Sequence, residues 1–116
     1  MQEFNYLTML KAVRDCSETD RLKVGVFFKT GQEGLSACLE AIESMDEEER
    51  NMMLRATKQS AASIIEFKNG SCIKFLPARE NVRGYAFNRV LYMSDIDQDI
   101  LNCVIRPTEK IRDPRF

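Results

Sequence analysis

Residues Ile64–Asp97, IIEFKNGSCIKFLPARENVRGYAFNRVLYMSDID, decide the fold of this chain. Ile64 to Phe67 and Cys72 to Leu76 alternate apolar and polar residues, the period of a strand with one buried face. Between them stands Lys68-Asn69-Gly70-Ser71. Asn-Gly is the strongest short-range hairpin signal, since both residues accept the positive φ of a type I′ turn. Pro77 ends the second arm, and Arg83-Gly84 supplies another tight turn. Arg89 to Met93 then forms a hydrophobic strand that runs out into Asp95 and Asp97. Asn69, Gly70 and Gly84 are thus the expected structural turns.

Working back from this stretch, Val24 to Phe28 within LKVGVFFKT is apolar at nearly every position, as a strand buried on both faces should be. A first helix is predicted over Phe4–Cys16, with Phe4, Leu7, Met9, Leu10 and Val13 at helical spacing. A second is predicted over Gln32–Met45, where Leu35, Cys38, Leu39, Ile42 and Met45 form a stripe for packing on a sheet. Asp46 reads as the N-cap of a third, with Glu47, Glu48 and Glu49 in the first turn, where negative charge suits the helix dipole. That helix is expected to continue through Met52, Met53, Leu54 and Ala56 to about Gln59. A short helix is expected over Asp97–Val104. The order predicts an α/β fold: a small layered domain over residues 1–105 with three to four helices, a hairpin at about 64–76, and Val24–Phe28 beside Val90–Met93 as parallel neighbours. Residues 106–116, with Pro107 and Pro114, read as an irregular tail.

A chain of 116 residues, 44% apolar and 30% charged, suits one soluble domain with a real core. No apolar run approaches the roughly 20 residues of a membrane helix, and MQEFNYLTML lacks the layout of a signal peptide. The expected compartment is the cytoplasm. The chain has no histidine, which removes Ser-His and Cys-His catalysis. Cys16, Cys38, Cys72 and Cys103 are widely spaced, with no zinc-binding pattern, and are expected to be reduced, mostly buried thiols. The net charge of −1 conceals a polar layout. Glu40, Glu43, Asp46, Glu47, Glu48 and Glu49 form an acidic run. Arg55, Lys58, Lys68, Lys74, Arg79, Arg83 and Arg89 face only Glu66 and Glu80 in the stretch that follows. Such a distribution suits a basic face meeting phosphate or an acidic partner.

Taken together, LKVGVFFKT, IIEFKNGSCIKFLPA, VRGYAF and VLYMSD resemble, in that order, segments of the ATPase domain of the large terminase subunit, the motor that packages DNA into tailed-phage heads. The resemblance spans roughly residues 4 to 105. It implies part of a RecA-like P-loop core and an origin in a phage or prophage, with the host cytoplasm as the compartment. It also implies a magnesium-coordinating role for Asp95 and a phosphate contact for Arg83. The family's GxxxxGK[ST] loop has no counterpart here, which removes the backbone cradle and the phosphate-binding lysine. Ile96 stands where the family has its water-activating glutamate, and Asp97 is one residue too far along.

The expectation is therefore a binding module with no catalytic residues and no cofactor, apart from a weak Mg2+ site at Asp95 with Asp97. Its ligand would be DNA or a phage packaging or replication protein. Lys68, Lys74, Arg79, Arg83 and Arg89 are the candidate contacts. Tyr85, Phe87 and Tyr92 could stack on bases, though alternate aromatics more often fill a core. Two alternatives stand beside this reading. One is an ATPase half-site completed by a partner chain that supplies the phosphate loop. The other is an inhibitor of host defence whose acidic run mimics nucleic acid. Met45, Met52, Met53 and Met93 with Leu54 could form an adaptable apolar surface, and a homodimer through a sheet edge or an apolar helix face is expected.

Overall fold

The computed structural model describes residues 1–82 and 84–110. Six strands, β1 (Gln2–Glu3), β2 (Lys23–Phe28), β3 (Met53–Thr57), β4 (Ser63–Phe67), β5 (Cys72–Pro77) and β6 (Arg89–Tyr92), form one mixed sheet. Their order across it is β1-β6-β2-β5-β4-β3. The contacts from β1 to β5 are parallel, and β4 and β3 then add antiparallel. The fold is α/β, and β2 and β6 are parallel neighbours as their apolar runs predict.

Three helices, α1 (Tyr6–Glu18), α2 (Gly31–Glu43) and α3 (Glu47–Met52), precede the edge strand β3. Their side chains meet Val24, Val26, Phe28, Ile65, Phe67, Ile73, Phe75 and Leu91 in the main core. Residues alternate across a strand, so Phe27 points to the other face. There it joins Leu76, Val90, Val82 and Phe87 beneath α4 (Gln98–Ile100) and the turns that continue it through Thr108. Residues 106–110 are therefore built into the domain, with Thr108 buried and Lys110 N–H donating to the Phe87 carbonyl at 2.7 Å. Residues 111–116 lie outside the described residues.

Helix starts follow their caps. Asn5 and Thr8 form a reciprocal capping box for α1, so Phe4 stays outside the helix and its ring meets Phe28 edge-on at 5.1 Å. The buried stripe of α1 is Met9, Ala12, Val13 and Cys16, and Leu7 is 74% exposed, contrary to its expected core role. Asp46 caps α3 as predicted, again in a capping box, with Glu49. The Glu49 N–H, with help from Arg14, holds the Asp46 carboxyl below the usual carboxylate range. Arg14 is a hub: its guanidinium pairs with Asp46 and lies 3.4–3.5 Å from Glu18, Glu48 and Glu49.

The third helix is shorter than expected. It stops at Met52, and Met53 turns to extended backbone with ψ 124°. Residues 53–57 pair with β4 instead, with an irregularity between Met53 and Arg55, because the backbone partners along β4 outweigh even the strong helix preference of Met-Leu-Arg-Ala. The methionines are packing elements rather than a surface. Met45 is buried, and Met52, Met53 and Met93 pack against the main core. Leu54 alone of that group is largely exposed, at 58%, on the open edge strand β3. No helix among the described residues is long and apolar enough to cross a membrane.

Gly25 sets the spacing of the second layer. A Cβ there would lie 2.5 Å from the Phe87 ring, which rests directly on the β2 backbone. Gly25→Ala is expected to lower stability by about 1–3 kcal/mol through overpacking. Urea unfolding checks this, as a lower midpoint with an unchanged slope.

Candidate functional site

The hairpin between β4 and β5 does not use the expected type I′ turn. Asn69 lacks positive φ, and only Gly70 takes the left-handed conformation, at +84°. Gly70 N–H donates to the Phe67 carbonyl at 3.2 Å and Phe67 N–H to that of Ser71 at 2.9 Å. This is the pattern of a turn closed by a glycine bulge. The reason lies in tertiary contacts of Asn69 and Ser71. The Asn69 amide donates to the Cys16 carbonyl at 2.7 Å and accepts from Ser71 N–H at 3.0 Å. Ser71 Oγ accepts from Leu22 N–H at 2.9 Å and donates to the Thr19 carbonyl. The hairpin tip is thereby clasped to the joint between α1 and β2.

This clasp gathers four cations. Arg21 N–H donates to the Asn69 carbonyl at 3.2 Å, its side chain lies against Gly70, and its φ of 59° is unusual for a residue with a Cβ. Lys23 opens β2 opposite Cys72, Lys68 sits in the turn, and Lys74 pairs with Gly25 one step along the sheet. None of the four has an ion-pair partner among the described residues. Asp20 lies beside Arg21 in sequence. Glu66, the nearby carboxylate on β4, is bonded to Arg55, which holds it below its ordinary pKa.

Lys74 and Glu66 lie on the sheet face opposite the helices, since Ile65, Ile73 and Phe75 occupy the main core. Over β3, β4 and β5 that face is an open cleft of about 580 Å³, floored by Ile64, Glu66 and Lys74. Leu54 stands on one side and Tyr85 on the other. The Tyr85 ring stacks on Phe87 at 5.6 Å and 13°, and the Lys74 ammonium lies 4.9 Å from its centroid. Phe87 is core, Tyr92 is half-buried against the second core, and Tyr85 is the aromatic that reaches the cleft.

The remaining candidates lie elsewhere. Arg79 follows the far end of β5, roughly 20 Å from the turn at the strand rise of about 3.3 Å per residue. Arg89 pairs in register with buried Val24, so it faces the helices, and it binds Asp15 at 2.9 Å. It does not join Lys68 and Lys74. Arg83 lies outside the described residues. Gly84 has φ +97° in open space, so its backbone conformation alone calls for glycine. Asp95 and Asp97 are exposed past β6, where the Asp97 carboxylate accepts from Asp99 N–H at 2.9 Å and caps α4. Among the described residues no group of three Cys, Asp or Glu side chains could hold a metal ion.

All four thiols are free, but their burial differs from expectation. Cys16 and Cys38 are buried, Cys72 is half-buried and Cys103 is exposed. Burial pushes Cys16 up to about 12 and Cys38 up to about 11, and raises Cys72 as well.

Sequence reasoning found Lys68 and Lys74 but missed Arg21 and Lys23. The available signal was the polar break Ser17–Asp20 directly before the buried strand, which marks a joint at the strand's entry. Comparison with family models, curated proteins and solved structures gave no match.

Two outcomes are expected. Ser71→Ala leaves the Leu22 N–H without its acceptor and lowers stability by roughly 1–3 kcal/mol in denaturant titration. With Ellman's reagent at about pH 8, Cys103 reacts quickly while Cys16 and Cys38 react only on unfolding. Cys103→Ser removes the fast phase.

Proposed function

We propose that this chain is a non-catalytic binding module, related through its hairpin and acidic strand to the terminase ATPase core, that holds a nucleic-acid backbone on Arg21, Lys23, Lys68 and Lys74. The carrying observation is that Arg21, Lys23, Lys68 and Lys74, none with an ion-pair partner among the described residues, stand on or beside one clasped hairpin. The clasp fixes the backbone beneath these side chains, so little ordering of the chain is needed when phosphates arrive. Binding then draws on counterion release. The site has cations to hold phosphate.

Fluorescence anisotropy with labelled oligonucleotides tests this. Four phosphate contacts predict a log–log salt slope of roughly −3, an affinity loss of roughly 50-fold between about 50 and about 200 mM salt. Lys23→Ala with Lys74→Ala should reduce that slope by roughly 1.4, and Arg79→Ala should leave it unchanged. No binding at low salt, or a slope indifferent to the paired lysines, overturns the reading.

A further inference from the structure

We infer that the cleft beside the cation platform receives one unpaired nucleobase, so that the ligand is a single strand rather than a duplex. This rests on the platform being a phosphate-binding surface. Three observations carry it. The cleft, at about 580 Å³, falls within the size range of small-ligand sites, roughly 300–1,000 Å³. It adjoins the platform directly, since Lys23, Gly70, Ser71 and Lys74 line it too. Tyr85 is held in a fixed plane on its far side by stacking on Phe87, whose ring is in turn seated on Gly25.

The near face of Tyr85 carries the Lys74 ammonium. A cation over a half-buried tyrosine at the rim of an open cleft is held less strongly than a base stacked on an aromatic ring. When a phosphate arrives, Lys74 has a better partner than the ring. Its departure uncovers the Tyr85 face for the base attached to that same phosphate. Backbone capture and base stacking are thus coupled through one side chain. A duplex keeps its bases stacked inside and presents only their edges in the grooves, so it can reach the platform but not the ring. An unpaired base can swing out and stack. Stacking alone does not read the sugar, so DNA and RNA strands both qualify.

The test compares one sequence as single-stranded DNA, single-stranded RNA and duplex DNA at a fixed low salt concentration. Both single strands are expected to bind roughly tenfold more tightly than the duplex, the size of one stacking contact. Tyrosine emission, unobscured because the chain has no tryptophan, should be quenched by the single strands only. Tyr85→Leu should abolish the preference and the quenching while leaving duplex binding and its salt slope in place, since Lys74 is retained. Tyr85→Phe should keep the preference. Equal affinity for single strand and duplex in the unaltered protein, or a preference that survives Tyr85→Leu, overturns the inference and leaves the platform standing. Loss of binding to all three ligands overturns both. Binding of RNA alone assigns the source of the base to RNA and supports the cleft.

Discussion

The open side of the molecule depends on the polar clasp between Asn69–Gly70–Ser71 and the joint that follows α1. Its bonds reach the carbonyls of Cys16 and Thr19 and the N–H of Leu22. Each bond contributes only about 1 kcal/mol net, but leaving a buried partner unsatisfied costs about 1–3 kcal/mol. Ser71 is buried, so the second figure governs. The clasp also starts the zipper of β2 and β5, whose register runs from Lys23 opposite Cys72 to Phe28 opposite Pro77. That register sets Gly25 beside Lys74, which puts Phe87, and Tyr85 behind it, within reach of the lysine.

Much of this fold is legible in the chain because its signals are local. The two hairpin arms alternate, β2 and β6 are short apolar runs, and Asp46 with Glu49 announces a capping box. What escapes notice is decided at a distance. Met52 to Ala56 carries apolar residues that fit either a helix or a strand, and only the open side of β4 settles the matter. Two residues, Gln2 and Glu3, have no period at all, yet they pair with Leu91 and Tyr92. Even the Asn-Gly turn departs from its local preference, because Asn69 has a tertiary partner.

The candidate site is less legible, for a related reason. Lys68 and Lys74 flank a recognisable turn. Arg21 and Lys23 join them only through the pairing of β2 with β5, which nothing in their neighbourhood announces. Sequence proximity also misleads in the other direction. Arg89 belongs to the same basic stretch, but one step of strand alternation turns it to the helical layer and Asp15. Arg79 follows the strand of Lys74 and lies past its opposite end.

The hub at Arg14 has a consequence for how the molecule meets a charged partner. One guanidinium draws Glu18, Asp46, Glu48 and Glu49 together on the helical side, where α1 meets α3. Arg21, Lys23, Lys68 and Lys74, which have no ion-pair partner among the described residues, stand at the hairpin and on the sheet face turned away from those helices. The molecule is therefore electrically lopsided even though its net charge is close to zero. A polyanion approaching from afar exerts almost no net pull on it but does exert a torque. It turns the protein before drawing it in, so that the hairpin side leads the approach.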